Sequence, residues 1–329
     1  MDSDSTLTAS LLSVEGLRTY FNVSEGVVKA VDGVSFNVEE NETFCVVGET
    51  GCGKSVSALS IMRLIFHPGK IVEGKITYKG KDLLKLPENE MRKIRGKEIA
   101  MIFQNPMRSL NPVFTIGSQI SEGPIAHFNL PGRDAWKNAI ELISKVRMPD
   151  PEIRAKSYPH VLSGGMRQRA MIAMMISCEP SLLIADEPTT SVDVTIQAQI
   201  MDLLLDIKKK RRMSVMLITH NFGLVAEMGD RAAVMYCGKV VEIGFVEEIF
   251  RDPLHPYTQG LLKCLPVGFE RKKELEVIPG TLASPVNPPQ GCRFSPRCNR
   301  AMSKCKLEEP ALITQGQDHL VACHLYGGE

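Results

Sequence analysis

One short stretch has the residue types and the spacing of a phosphate-binding loop. Residues 48–55 read GETGCGKS and fit the pattern G-x-x-x-x-G-K-[ST]. The glycines let backbone N–H groups turn inward around a phosphate, Lys54 brings a cation to the outer phosphates, and Ser55 offers a hydroxyl to Mg2+. The pattern predicts a nucleotide site formed by Gly48, Glu49, Thr50, Gly51, Cys52, Gly53, Lys54, Ser55 and Val56.

Polar side chains stand at the ends of three other apolar runs. Gln104, the pair Asp186 and Glu187, and His220 each end or follow a run that is typical of a buried strand. Open α/β sheets bind ligands at the carboxyl ends of their strands, so these groups are in positions to meet one. Asp186 could hold Mg2+ through water, and Glu187 could orient an attacking water. Taken alone, neither Gln104 nor His220 would indicate a function.

Two further features could contact a nucleotide. Ser163 is a candidate helix N-cap, and the two glycines after it expose backbone N–H groups that favour an anion. Upstream of the phosphate loop, Tyr20 or Phe21 lies at a suitable distance in sequence to stack on an adenine, although an aromatic residue in a strand is often part of the core. We favour Phe21 over Tyr20.

The flanking sequence predicts the elements that position these groups. Residues 43–47 form an unbroken apolar run, as in a buried parallel strand, and residues 56–65 contain no Gly or Pro. Strand, glycine turn and helix therefore follow in the order that a phosphate loop requires. Alternation at 34–38 and the stretch 75–80 predict a small β region, and amphipathic pieces between 105 and 158 predict a helical insertion. The predicted fold class is α/β.

The composition is that of an ordinary globular chain. At 329 residues, 43% apolar and 23% charged, it can form one large domain plus an appendage. The net charge of +1 gives no argument for nucleic-acid binding, and the basic run 208–212 is typical of a helix C-terminus. No apolar run approaches the ~18 residues that span a bilayer, and residues 1–10 lack the pattern of a signal peptide. These features predict a soluble, cytoplasmic protein.

Six motifs in one order give the chain a family resemblance. They are the phosphate loop, Gln104, LSGGMRQR at 162–169, Asp186 with Glu187, SVD at 191–193, and His220. Over about residues 11–250 the chain resembles the nucleotide-binding subunits of ABC transporters. More narrowly, it resembles the dipeptide/oligopeptide importer ATPases at QNPM (104–107), SLNP (109–112), DEPTT (186–190) and HPYT (255–258). Val192 departs from the usual Ser-Ala-Leu-Asp of the D-loop, which is an apolar change of little consequence.

The resemblance implies a fold and a division into domains. Residues 11–262 would form an ABC-type P-loop nucleotide-binding domain with a RecA-like core, an antiparallel β subdomain and a helical subdomain at about 105–165. Residues 263–329 would form a small Cys-rich C-terminal extension.

The resemblance also implies a mechanism. Two such domains would dimerise head to tail, so that each ATP lies between one phosphate loop and the partner's signature motif. Ser55, Asp186 and Gln104 would hold Mg2+; Gln104 would also sense the γ-phosphate and couple to the permease. Glu187 would polarise the attacking water, and His220 would contact the γ-phosphate. Further contacts to the nucleotide would come from Ser163, Gly164, Gly165 and Asp193.

The implied function is ATP hydrolysis that energises import of dipeptides or oligopeptides, although similar relatives carry nickel or oligosaccharides. Two transmembrane permease subunits, an extracytoplasmic binding protein and a homologous ATPase subunit, in a homodimer or heterodimer, would be the partners at the cytoplasmic face of the membrane. A soluble ABC ATPase acting on nucleic acid or ribosomes is an alternative, but the chain has neither an inserted coiled coil nor a second nucleotide domain. A small-molecule P-loop kinase would have no use for Ser163 to Gly165 or Gln104.

Four of the nine cysteines lie in the last 38 residues, at Cys292, Cys298, Cys305 and Cys323. A reducing cytosol disfavours two disulfides, and the clustering favours a shared metal. The spacing leaves zinc and iron–sulfur open. The tail resembles that of the dipeptide/oligopeptide ATPases, members of which hold a 4Fe-4S cluster on four cysteines. The resemblance therefore favours that cluster over Zn2+, and His324 is interpreted as a neighbour rather than a ligand.

Overall fold

The computed structural model describes residues 10–105, 109–189, 193–265, 278–281, 283–316 and 318–327. Its strands are β1 Leu12–Val23, β2 Gly26–Val38, β3 Thr43–Val47, β4 Gly69–Tyr78, β5 Lys81–Asp82, β6 Ile99–Ile102, β7 Leu182–Asp186, β8 Ser214–Thr219, β9 Arg231–Tyr236, β10 Lys239–Phe245, β11 Ile313–Gln315 and β12 His319–Val321. Its helices are α1 Lys54–Ile61, α2 Glu88–Ile94, α3 Ile116–Phe128, α4 Gly132–Lys145, α5 Pro151–Lys156, α6 Gly164–Met175, α7 Val194–Arg211, α8 Phe222–Met228, α9 Val246–Arg251, α10 Pro256–Lys263 and α11 Ser303–Leu307, with a 3-10 turn at Pro159–Val161. The fold class is α/β, as predicted.

The chain divides into two compact units. The first comprises residues up to 84 together with those from 218 onward, and the second comprises residues 85–217. Residues on both sides of the predicted domain boundary at residue 262 belong to the first unit. The boundary stays a prediction.

The first unit contains an antiparallel sheet and a mixed set of strands. Strands β2, β1, β4 and β5 form the antiparallel sheet in that order, as the β subdomain was predicted to do. In the mixed set, β3 pairs parallel with β9, and β9 pairs antiparallel with β10. All five residues of β3 are buried, which explains its continuous apolar sequence.

The C-terminal extension continues the mixed set of strands. β12 pairs antiparallel with β10, and β11 pairs with β12. Phe294 is buried and packs against Tyr236 and Tyr257 at ring-centroid distances of 5.2 and 5.4 Å. Through Phe294, β11 and β12, the described part of the extension shares the core of the preceding strands and helices.

The second unit is predominantly helical. Helices α3, α4 and α5 lie within the predicted helical insertion, and α3 packs against α4 and α6. The apolar positions Ala135, Ala139, Leu142 and Ile143 form the buried face of α4. Strands β6 and β7 pair in parallel, with Ile99 opposite Leu182, and end at the polar residues that the sequence singled out. Helix α7 carries four basic residues in its last turn, as predicted for the run at 208–212.

None of the helices among the described residues is long and apolar enough to cross a membrane.

Candidate functional site

The phosphate-binding loop connects β3 to α1, in the predicted order. Helix α1 begins at Lys54, two residues earlier than expected, so Lys54 and Ser55 lie in its first turn. Backbone N–H groups in the first turn of a helix lack helical partners and favour an anion. The start of α1 is therefore suited to an anion, in keeping with the predicted role of the loop.

Glycine is required at two positions of this loop. A Cβ added to Gly48 would stand 2.2 Å from the carbonyl oxygen of Met235. A Cβ added to Gly53, whose φ is +107°, would stand 2.2 Å from the carbonyl oxygen of Ala30. Strands β2 and β9 thus pack closely against the loop and restrict its backbone conformation.

Lys54 is folded back along the loop and is only 4% exposed. Its Nζ donates to the carbonyl oxygens of Gly48 and Glu49 at 2.7 and 3.0 Å. These bonds keep the ammonium group inside the curve of the loop. When a phosphate binds there, Lys54 could donate to its charged oxygens instead of to the carbonyl oxygens.

Two residues from distant parts of the chain hold Glu49. Its backbone N–H donates to Tyr257 Oη at 3.0 Å. Its carboxylate accepts hydrogen bonds from Arg297 Nη1 and Nη2 at 2.8 and 3.1 Å. Sequence reasoning identified neither contact. Tyr257 belongs to the HPYT motif, which indicated a family resemblance but no role for the tyrosine. Arg297 was notable only because it precedes Cys298.

The two aromatic candidates for adenine stacking differ in their surroundings. Tyr20 Oη donates to Asp32 at 2.5 Å, and burial raises the pKa of this phenol to about 12. Phe21 instead lies over Gly69, where an added Cβ would stand 2.5 Å from the Phe21 ring. The preference for Phe21 as the residue that stacks on adenine stays a prediction.

In the second unit, Gln104 and Glu187 are in direct contact. Gln104 Nε2 donates to Glu187 Oε2 at 2.9 Å, although 83 positions separate the residues in sequence. Glu187 has a φ of +45°, a strained value for a residue with a Cβ, and strain of this kind is common at functional sites. Its neighbour Asp186 ends β7 and is 5% exposed.

The starts of helices α6 and α7 in the second unit lie close together. Ser163 caps α6 by accepting from the N–H of Met166 at 3.3 Å, as the sequence predicted, and Asp193 caps α7 by accepting from Ile196 at 2.9 Å. A Cβ on Gly165 would stand 2.8 Å from the Ile196 side chain. Gly165 therefore faces the start of α7. Ser191 and Val192 lie outside the described residues.

His220 directly follows β8, as expected, and is exposed. It belongs to the first unit, whereas Gln104, Asp186 and Glu187 belong to the second.

The four C-terminal cysteines line a single small cavity, together with His255, Phe294 and His324. Burial raises the pKa of Cys292 to about 11 and raises the pKa of Cys298 and Cys323 as well, because desolvation disfavours thiolates. Nevertheless, no three His, Cys, Asp or Glu side chains of the described residues are arranged to hold one metal ion. The geometry thus leaves the predicted 4Fe-4S cluster, and equally the Zn2+ alternative, unsupported. His324 Nε2 contacts the carbonyl oxygen of Glu308 at 3.0 Å.

Two protein families match different regions of this chain. Residues 31–190 match the ABC transporter family, and residues 241–305 match the family described as the oligopeptide/dipeptide transporter C-terminal region. The oligopeptide transport ATP-binding protein AppD of Bacillus subtilis is 50% identical over 98% of both chains. The dipeptide transport ATP-binding protein DppD of Escherichia coli is 47% identical over 96% of both chains.

Solved structures share the fold. A dimeric ATP-binding cassette in a post-hydrolysis state, bound to ADP and Pi, aligns with a TM-score of 0.65 and 25% identity, over 71% of this chain and 98% of that one. CbiO1 of Clostridium perfringens, part of the ABC transporter complex CbiONQ, aligns with a TM-score of 0.62 and 26% identity, over 74% of this chain and 91% of that one.

Proposed function

This chain belongs to the ABC transporter ATPases of the oligopeptide/dipeptide family, and we propose that its ATP hydrolysis energises the import of dipeptides or oligopeptides through a membrane permease. The observation that carries the proposal is 50% identity over 98% of both chains to an oligopeptide transport ATP-binding protein. A match of that length includes the C-terminal region as well as the nucleotide-binding motifs.

The site residues take the following roles in the proposal. The loop from Gly48 to Val56 binds the phosphates of ATP through its N–H groups and Lys54, and Phe21 stacks on the adenine. Ser55, Asp186 and Gln104 hold Mg2+, which neutralises charge that develops on the phosphates. Residues that contact ATP from a second subunit are Ser163, Gly164, Gly165 and Asp193.

Glu187 orients the attacking water, and His220 contacts the γ-phosphate from the opposite side. The hydrogen bond between Gln104 and Glu187 supports a sensing role, since a γ-phosphate that attracts the Gln104 amide would release the carboxylate to accept a water proton.

The partners in the proposal are two transmembrane permease subunits, a second homologous ATPase subunit and, indirectly, an extracytoplasmic solute-binding protein. The chain would work at the cytoplasmic face of the membrane. Dimerisation is supported by the dimeric cassettes that share this fold.

Reconstitution tests the proposed solute. The chain is combined in proteoliposomes with the permease subunits and the binding protein from the same organism. ATPase activity is then measured with a dipeptide, an oligopeptide, nickel or an oligosaccharide. We expect peptides to stimulate hydrolysis. Stimulation by nickel or an oligosaccharide alone would keep the ATPase role and overturn the peptide assignment.

The loop before α3 is proposed to dock on the permease. Val113 and Phe114 are 70% and 55% exposed, while the Gln119 side chain holds the loop by bonds to the backbone of Asn111 and Phe114. Exposed apolar residues on a braced loop are suited to a protein interface. The braced segment Asn111 to Thr115 is the proposed contact.

We expect the double substitution Val113→Ser with Phe114→Ser to abolish most peptide transport and to leave the basal ATPase of the isolated subunit unchanged. The apolar contact would be lost without a change at the nucleotide. Ile153→Ser, at a position of the same unit that is 62% exposed, serves as the control. Equal loss of transport and basal ATPase would indicate a role in folding instead.

A 4Fe-4S cluster bound by Cys292, Cys298, Cys305 and Cys323 is part of the proposal. The four residues fit, since all are cysteines whose thiols line one cavity. Each cysteine of such a cluster binds a different iron, so its ligands need not converge on one ion. The cluster would give the short extension structural support, and no electron-transfer partner is implied.

We expect anaerobically purified protein to be brown, with broad absorbance near about 400 nm and about four irons per chain. Cys298→Ser should remove the iron, because a thiolate ligand is lost, and Cys264→Ser should retain it. Colourless protein with about one zinc per chain would replace the cluster by the zinc alternative, and protein with neither metal would overturn the assignment.

A further inference from the structure

Arg297 of the C-terminal extension forms an ion pair with Glu49, the second residue of the phosphate-binding loop. Arg297 Nη1 and Nη2 donate to Glu49 Oε2 and Oε1 at 2.8 and 3.1 Å, which is a bidentate ion pair. The Arg297 side chain is 6% exposed and that of Glu49 is 32% exposed. Two parallel bonds define both the distance and the orientation of the carboxylate.

The guanidinium itself is held in place. Its Nε donates to the carbonyl oxygen of Pro279 at 2.9 Å, and its carbon lies 5.8 Å from the centre of the Tyr236 ring. The backbone N–H of Arg297 donates to Phe294 at 2.9 Å, and Phe294 is part of the buried aromatic cluster. Arg297 is therefore a rigid support and not a solvated surface cation.

The contact reaches the phosphate-binding groups through Glu49. The carbonyl oxygen of Glu49 accepts from Lys54 Nζ at 3.0 Å, and its N–H donates to Tyr257 Oη at 3.0 Å. The side chain, the backbone N–H and the carbonyl oxygen of Glu49 thus all form hydrogen bonds. A shift of Glu49 would move the acceptor that orients the Lys54 ammonium.

This pair is stronger than an ordinary surface ion pair. The Arg297 side chain is nearly buried, so solvent screens this pair less than it screens an exposed one. Removing one partner would leave the other charge partly buried and unpaired, which is costly.

We infer that Arg297 is a positioning residue of the phosphate-binding loop: through Glu49 it holds the loop in the form that binds nucleotide, so the C-terminal extension sets nucleotide affinity. The inference rests on the proposed binding of ATP at residues 48–55. It assigns the extension a function in the ATPase site.

A double-mutant cycle tests the inference on the full chain. The dissociation constant of Mg-ATP and the kinetic constants of ATPase are measured for wild type, Arg297→Gln, Glu49→Gln and the double variant. We expect each single variant to weaken Mg-ATP binding and raise KM by about tenfold, with kcat within about twofold, because the lost interaction positions a binding loop. The double variant should be no weaker than either single variant, since both remove one interaction.

Two further variants separate positioning from folding. Arg297→Lys keeps the charge but not the two-pronged geometry, so its affinity should fall between those of wild type and Arg297→Gln. Arg300→Gln, an exposed arginine on the same segment, should bind Mg-ATP like wild type.

Lys54→Ala separates this inference from the proposed function. If Lys54→Ala binds Mg-ATP as wild type does, the nucleotide site itself is misassigned. If Lys54→Ala loses affinity while Arg297→Gln retains it and only melts at a lower temperature, Arg297 supports the extension alone and the inference is wrong. Losses that multiply in the double variant would equally overturn it.

Discussion

Glu187→Gln should reduce ATP turnover by about a hundredfold or more while leaving Mg-ATP binding intact. The amide keeps the size of the side chain and its hydrogen-bonding reach, but it cannot accept a proton from the attacking water. Since binding persists without hydrolysis, a dimer with ATP bound should accumulate. Single-turnover ATPase assays and size-exclusion chromatography with Mg-ATP measure the two effects.

The matched control is Glu179→Gln. Glu179 follows α6 in the same unit, is 72% exposed and pairs with Arg211 at 3.1 Å. It undergoes the same chemical change without a proposed role, so turnover should stay near that of wild type. Hydrolysis at the normal rate by Glu187→Gln would show that another group orients the water.

Lys54→Ala should weaken Mg-ATP binding by tenfold or more, on the order of the loss of one charge-assisted hydrogen bond. The ammonium is the charge partner that the loop offers to the outer phosphates. Calorimetric titration with Mg-ATP measures the loss directly. Unchanged affinity would contradict the role assigned to the loop.

Because Lys54 is buried and bonds to two carbonyl oxygens of the loop, its removal could also disturb the fold. Lys54→Met retains most of the aliphatic volume and separates the two effects. We expect Lys54→Met to unfold near the wild-type temperature and to bind Mg-ATP as poorly as Lys54→Ala. The exposed Lys70, on β4 of the same unit, provides a control at Lys70→Ala.

Features that depend on neighbouring residues were predictable. Ser163 caps α6 as its position before two glycines indicated, and the phosphate loop joins a buried strand to a helix as its flanks indicated. Element boundaries were less accurate, since the helix expected at 56–65 is Lys54–Ile61. Arg63, just beyond the end of α1, has a φ of +52°, which is not a helical value. The pattern of apolar residues does not predict it.

Contacts between remote residues were not predictable. Tyr20 and Phe21 are adjacent and equally aromatic, and only their distant neighbours distinguish them, Asp32 for Tyr20 and Gly69 for Phe21. The bond between Gln104 and Glu187 spans 83 positions, and the pair of Arg297 with Glu49 spans 248. Neither pair has a spacing that periodicity could reveal.

The sequence by itself determined the phosphate-binding loop, the polar ends of the apolar strands and the family. These properties reside in short contiguous motifs, whose backbone conformation and chemistry are set by their own residues. The tertiary structure alone decided that Arg297 and Tyr257 hold Glu49, because strand pairing and the packing of Phe294 bring distant segments together. Such contacts depend on how the whole chain buries its apolar surface, which no local pattern encodes.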